Sequence, residues 1–289
     1  MPSAISKDDT SPKLITFIYN IQSFKRSMKR TMCLILFSYK PNSRYRLVFG
    51  GNRDEFYYRP TKCLSFWNDA PGILAGRDLK GMGTWLGLTH TGRFAAITNY
   101  RDPASIKDNA PTRGSLVKNY LTGNQTPEAY LKNIKSADEY YNGFNLVTGD
   151  KNGICYYSNK ADNIIPIKPG FYGLSNHLLN TPWPKVKKSL ADFEKLISDN
   201  KKIDPENIFR ILRDTSHPPL DQLPDTGVGH VWERILSSIF IRSKTYGTRS
   251  SSIILIEYSG KTTFIERTFI PKDTGEIKHN TVKFNFTIQ

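Results

Sequence analysis

Two strand-like runs joined by a turn cluster constrain this chain more than anything else in it. Met32–Cys33–Leu34–Ile35–Leu36–Phe37 reads as a buried strand headed by a cysteine, and Tyr45–Phe49 reads as a second strand. Lys40–Pro41–Asn42–Ser43 between them is turn chemistry, so the pair predicts an antiparallel hairpin. The second run ends in Gly50–Gly51 and a dense polar cluster, Asn52–Arg53–Asp54–Glu55. A hairpin of this length returns Asn52–Asp54 to the side of Cys33, which makes this the first place to look for chemistry.

The rest of the chain keeps pairing strands. Arg59–Pro60–Thr61 turns into a loop ending near Trp67–Asn68, and Ile73–Ala75 follows Pro71–Gly72 as a short strand. Trp85–Leu88 and Arg93–Thr98 read as strands joined at His90–Thr91–Gly92. Leu116, Val117, Tyr120 and Leu121 recur at helical spacing, and Thr126–Pro127–Glu128 opens another helix, with threonine as cap and proline at its first position. Phe144–Thr148 and Ile154–Tyr157 flank a turn as a second hairpin. Val186, Leu190, Phe193 and Ile197 form one apolar stripe of a helix behind Thr181–Pro182, and Asp204–Pro205–Glu206 caps a further helix over Asn207–Leu212. Asp214–Gly229, rich in Pro, Gly and Asp, is a long loop compatible with a lid. Ser251–Tyr258 and Lys261–Phe269 make the last hairpin. Paired strands with helices grouped in the middle, and no βα alternation, predict an α+β fold.

The 289 residues suffice for a full core, and neither a repeat nor a domain boundary is visible from residue 32 to residue 289. No apolar run approaches the roughly 18–20 residues that span a bilayer as a helix. The formal net charge is +15, but the Lys and Arg are scattered and no zinc-finger spacing, RNP aromatic motif or continuous basic helix accompanies them. A cationic surface is therefore expected rather than specific nucleic-acid binding. Peripheral membrane contact stays compatible with that surface, and the sequence sets no oligomeric state. Cysteines at 33, 63 and 155 are too few and too dispersed for a disulfide framework. The histidines at 90, 177, 217, 230 and 279 have no metal-ligand spacing, so no metal site is expected. No Gly-rich phosphate loop joins a strand to a helix, which leaves nucleotide binding without support.

Residues 1–31 stand apart, with six Lys or Arg against Asp8 and Asp9. They are read as a basic leader lying outside the core and poorly ordered. No clear secretory signal is present, because the apolar patch Leu14–Tyr19 is too short for one. A mitochondrial presequence is suggested by the basic amphipathic stretch from Ile15 to Arg30, with Asp8 and Asp9 against it, and the other option is translation that begins at Met32.

Met-Cys before an apolar strand and Asn-Arg-Asp-Glu after the next one resemble the NRDE (transport and Golgi organisation) family. Further blocks resemble it in the same order: Leu74–Asp78 with Gly83–Gly87, Phe94–Arg101, Gly173–Asn176 with Thr181–Trp183, and Tyr246–Ser251. The resemblance implies a four-layer αββα sandwich of the N-terminal-nucleophile hydrolase type. It also implies a role in intracellular trafficking, in secretion and Golgi organisation or in haem or lipid handling, through a ligand pocket at Cys33. The compartment implied is the cytoplasm, with Golgi or mitochondrial association, and haem enters as transported cargo rather than as a required cofactor.

The alternative is an enzyme that cleaves a non-peptide carbon–nitrogen amide bond. Removal of Met32 would leave Cys33 with a free α-amine beside its own thiol, and an amine titrating near 7.7–8.0 can serve as its base. Asp54 would orient that amine, while Asn99 and Asn176 resemble the amides that hold an oxyanion in such hydrolases. Asn52, Arg53, Arg249 and His177 are candidates for ligand contact, Arg249 by gripping a carboxylate. Each has a plainer reading. Cys33 is a buried small hydrophobe, Asn52 and Asp54 shape a bend after paired glycines, Asn99 and Asn176 bond loop backbone, Arg249 makes a surface ion pair, and His177 caps the following helix. The ligand class expected is small and amphipathic or amide-containing.

Overall fold

The computed structural model describes residues 32–198, 202–271 and 276–288. The expectations made for the leader 1–31 lie outside the described residues. The strands in chain order are β1 (Met32–Tyr39), β2 (Tyr45–Phe56), β3 (Thr61–Trp67), β4 (Ala70–Asp78), β5 (Leu86–Thr89), β6 (Phe94–Asn99), β7 (Phe144–Gly149), β8 (Ile154–Ser158), β9 (Asn163–Pro166), β10 (Gly170–Leu174), β11 (Tyr246–Glu257), β12 (Lys261–Pro271) and β13 (Ile277–Thr287). The helices are α1 (Gly114–Thr122), α2 (Pro127–Lys135), α3 (Pro184–Ser198), α4 (Pro205–Leu212) and α5 (His230–Leu236).

Two antiparallel sheets result, ordered β10-β1-β2-β11-β12-β13 and β3-β4-β5-β6-β7-β8-β9. Alternation along β1 explains how they stack. Cys33, Ile35 and Phe37 enter one core with Leu47, Phe49 and the second sheet's Trp85, Leu86 and Phe94; that core continues to Leu116, Val117 and Tyr120 of α1 and Leu131 of α2. Leu34 and Leu36 point the other way, to Val48 and to Val186, Phe193, Ile208 and Leu212 of α3 and α4. Phe49 meets Trp85 and Phe94 at ring-centroid distances of 6.4 and 6.5 Å, joining the two sheets directly. The layers therefore run helix, sheet, sheet, helix, as expected. A fully buried side chain such as Phe193 contributes about 1.5–3 kcal/mol to this order.

The helix starts follow the capping chemistry. Thr126 accepts a hydrogen bond from the Ala129 amide ahead of α2, and Asp204 accepts one from the Glu206 amide ahead of α4. Three expectations need correction. The segment after Arg59–Pro60 is strand β3 rather than a loop, because its backbone pairs with β4. Gly50–Gly51 does not end β2, which runs on through the polar quartet, so the bend reading of Asn52 and Asp54 does not hold. The third is an addition: the edge strand β13, for which no element is expected above, pairs with β12 from Lys261↔Thr287 to Pro271↔Ile277.

Candidate functional site

The hairpin register sets Cys33 opposite Arg53, Leu34 opposite Asn52 and Met32 opposite Asp54. The paired glycines allow close packing on both faces just before this point. A methyl group at Gly50 would lie 2.7 Å from Ile208 Cγ2, and one at Gly51 would lie 2.8 Å from the Leu34 carbonyl oxygen and 3.1 Å from the Trp85 ring. Because β2 stays extended, the quartet alternates. Asn52 and Asp54 face the helices; Arg53 faces the space between the sheets, on the same side as Cys33.

On the helix face, Asn52 Nδ2 donates to the carbonyls of Leu212 and Ile239, both at 2.8 Å, and its Oδ1 accepts from Ser251 Oγ at 2.6 Å. Its amide thus ties β2 to the end of α4 and to β11. Asp54 Oδ1 accepts from Thr248 Oγ1 at 2.7 Å, and that hydroxyl accepts the Ile241 amide at 2.9 Å. Thr248 and Ser251 are three residues apart and would sit on opposite faces of a regular strand. A register shift between Thr248 and Ser250 inserts Arg249 as an extra residue and brings both hydroxyls to the helix face.

Asp54 Oδ2 is buried and has no hydrogen-bond partner among the described residues. Burial pushes the Asp54 carboxyl up to about 6, against the pull of Lys185, Thr248 and Arg53. Lys185 lies on the inner side of α3 and donates to the Leu236 carbonyl at 3.0 Å. Burial pulls its ammonium down, and the Asp54 charge opposes that. Beside them Arg101 is stacked on Trp183 at 4.7 Å and bonded to Glu233. The other Glu233 oxygen accepts from the Thr226 amide and hydroxyl, which holds the 214–229 loop down. Pro218, Leu223 and Pro224 leave only about 10 Å³ above Lys185, room for one water at most.

On the inter-sheet face, Cys33 is 3% exposed. Burial pushes its thiol up to about 12, and the charge of Asp54 adds to the rise while Arg53 opposes it. A thiol in this state is a neutral sulfhydryl at pH 7. Arg113, which begins α1, reaches the Gly143 carbonyl at 2.9 Å. Burial lowers its guanidinium to about 10, and the Cys33 sulfur is the largest influence holding it up.

A cavity of about 260 Å³ opens between the sheets, lined by Arg53, Cys63, Trp85, Arg249, Glu266 and Thr268 among others. Cys33 does not line it; its cross-strand neighbour Arg53 does. Arg53 is 8% exposed, and among the described residues its guanidinium makes one hydrogen bond, to Glu55 at 3.5 Å. Arg249 is committed differently. Its Nη1 donates to the carbonyls of Phe56, Tyr57 and Arg59 at 2.9–3.0 Å, which pins the turn between β2 and β3.

The two asparagines meet at the ends of β6 and β10. Asn176 Nδ2 donates to the Asn99 carbonyl at 3.0 Å, and the Arg101 amide donates to the Asn176 carbonyl at 2.7 Å. Ser175 Oγ links this junction to the site by donating to the Cys33 carbonyl at 3.2 Å. His177 turns away, its Nε2 2.8 Å from Tyr100 Oη and its Nδ1 2.8 Å from Thr181 Oγ1. Cys33, Arg53, Asp54 and Asn176 therefore share one neighbourhood, with the thiol and the Asp54 carboxylate on opposite faces of the sheet. Sequence reasoning missed Lys185, Glu233, Thr248, Ser175 and Arg113. Ser175 and Thr248 lie inside the blocks Gly173–Asn176 and Tyr246–Ser251 without being singled out there, and Lys185 is adjacent to Val186 at the start of the apolar stripe.

Comparison with known proteins gives a consistent result. The family model described as Transport and Golgi organisation 2 matches residues 32–271. Transport and Golgi organisation 2 homologues of Mus musculus and Homo sapiens are each 36% identical over 278 residues, covering 89% of this chain and 100% of theirs. The Drosophila melanogaster protein of the same name is 28% identical over 269 residues, covering 84% of this chain and 94% of its own. Among solved structures, a Caenorhabditis elegans orthologue of N-acylethanolamine-hydrolysing acid amidase aligns with a TM-score of 0.41 at 11% identity, over 77% of this chain and 92% of that one. A mutant conjugated bile acid hydrolase from Clostridium perfringens aligns with a TM-score of 0.37 at 12% identity, over 86% of this chain and 92% of that one.

Proposed function

The chain belongs to the Transport and Golgi organisation 2 family, and from that premise we propose that it serves intracellular trafficking by holding a small anionic, partly apolar molecule in the cleft beside Cys33. The observation that carries this reading is Arg53: a cation nine-tenths buried, with one 3.5 Å hydrogen bond among the described residues, lining a cavity of about 260 Å³. A buried guanidinium with so little compensation is stabilised by an incoming carboxylate or phosphate. Trp85 supplies the apolar wall. The volume is at the small end for ligand sites, so the anionic head of a lipid, or one propionate edge of a haem, enters while the rest extends outward. In the family's terms this is cargo handling in the cytoplasm, with contact to Golgi or mitochondrial surfaces.

The test is a titration of the full chain with oleate, with oleamide and with haemin, followed by quenching of tryptophan fluorescence. Oleate is expected to bind saturably and Arg53→Gln to weaken it by about tenfold or more, since a charge-assisted hydrogen bond contributes about 1.5–3 kcal/mol. Equal affinity for oleate and its neutral amide would remove the basis of the reading.

One observation favours a second reading, the amidohydrolase. Asp54 Oδ2 has no hydrogen-bond partner among the described residues, and Asp54 pairs in register with Met32, the residue whose removal would turn the Cys33 nitrogen into an α-amine. An ammonium there would satisfy the orphaned oxygen and act as the proton carrier for the thiol. Mass spectrometry of the native protein decides the matter: a mature chain extending ahead of Cys33 excludes this mechanism.

A further inference from the structure

We propose that Cys63 is a thiol–disulfide exchange site for small anionic disulfides, with the inter-sheet cavity as its binding cleft. The three cysteines differ sharply in surroundings. Cys33 and Cys155 are 3% and 8% exposed, and burial pushes their thiols up to about 12 and about 11. Cys63, on β3, is half-buried, unpaired and on the cavity wall, where Thr268 Oγ1 donates to its sulfur at 3.5 Å.

Four cations, Arg53, Lys62, Arg77 and Arg249, line it with two carboxylates, Asp78 and Glu266; Arg77 is paired with Asp69 and Arg53 with Glu55. Both carboxylates are already engaged. Asp78 receives two hydrogen bonds from Arg59, at 3.0 and 2.6 Å, and Glu266 Oε1 receives the Leu64 amide at 2.7 Å. Burial also pushes the Glu266 carboxyl above its ordinary range, which favours its neutral form. Arg249 is close enough for its own charge to sense the Cys63 sulfur. Arg53, nine-tenths buried and hydrogen-bonded among the described residues to Glu55 at 3.5 Å, lines the same space. A partly exposed thiol on a cationic wall is accessible to reagents, and anionic ones concentrate there.

The chemistry needs no further oxidant. The Cys63 thiolate attacks one sulfur of R–S–S–R, the reagent's S–S bond breaks, and R–S⁻ leaves with the proton that Cys63 gave up. Cys63 is oxidised to the mixed disulfide, and one reagent sulfur is reduced to the thiol. Carboxylates on R rest against Arg53 and its cationic neighbours. The inference uses the same cavity as the proposed cargo site but does not require that cargo.

The experiment is incubation of the folded full chain with oxidised glutathione, followed by intact-mass and peptide mapping. One adduct is expected, at Cys63, absent in Cys63→Ser and retained in Cys155→Ser. Lys62→Gln, at an exposed position, and high salt should each slow the anionic reagent while leaving neutral bis(2-hydroxyethyl) disulfide unaffected. Arg53→Gln should slow it by roughly tenfold. First modification at Cys33 or Cys155, no adduct at all, or the same salt dependence for both reagents would overturn the proposal. Charge-selective reaction at Cys63 in a protein that does not bind oleate would reject the cargo reading alone.

Discussion

Arg101 Nη1 donates to Glu233 Oε2 across 2.6 Å, with both side chains 3% exposed. This pair joins the end of β6 to α5, and through Thr226 it fastens the 214–229 loop over the polar cluster behind Cys33. Both charges are buried, so the pair is screened little by water.

Glu233→Ala is therefore expected to cost about 3–5 kcal/mol, because it removes the ion-pair partner of a buried guanidinium. The double variant Arg101→Met, Glu233→Leu should recover much of that loss. Urea unfolding midpoints of the three proteins check this, and limited proteolysis should cut Glu233→Ala first within residues 214–229.

Asp54 gives a pH signature. Its carboxyl titrates near 3.9 in an unfolded chain and at about 6 in the fold, where burial raises it. Between those values the native state keeps a proton that the unfolded state has lost, so stability falls as pH rises through the window. Asp54→Asn removes this slope. Urea midpoints between about pH 4 and 6 should decline in the parent relative to Asp54→Asn, by a difference on the order of 2 kcal/mol.

Thr248→Val keeps the shape but removes both the donor to Asp54 and the acceptor of the Ile241 amide. A loss of about 1–3 kcal/mol is expected from the stranded buried groups. The Asp54 carboxyl should titrate higher still, which a carbon-13 NMR titration would read directly.

Gly83→Ala should be among the most damaging small changes. A methyl group there would lie 2.4 Å from the Gly114 carbonyl carbon, a backbone atom at the first turn of α1 that cannot rotate away. The cost should exceed the roughly 1–3 kcal/mol of ordinary overpacking, and it would displace Arg113 from Gly143. Gly72→Ala, with nothing within 4 Å of the added methyl, should be neutral. Thermal melting of the two variants makes the comparison.

Much of the scaffold was legible because its signals are local. The turn at Lys40–Ser43 and the apolar runs beside it gave the β1–β2 hairpin, and with it the placing of Arg53 and Asp54 near Cys33. The caps at Thr126 and Asp204 gave two helix starts. The strand character of Asn52–Phe56 was not legible, since paired glycines followed by Asn and Asp are what a bend looks like. The cross-strand bonds to β11 that keep this stretch extended come from residues 246–253.

The amino-acid order alone determined the alternation, the caps and the α+β class, because each depends on neighbours a few positions away. Only the tertiary structure decided what each member of the quartet does. The bulge at Arg249 turns Thr248 toward Asp54, α3 brings Lys185 to the same carboxylate, and the second sheet leaves Arg53 facing a cavity. Thr248 and Lys185 lie some 130 to 195 positions along the chain from Asp54. At such separations a residue's charge and hydrogen-bonding partners are fixed by which surfaces pack together, and no local pattern encodes that.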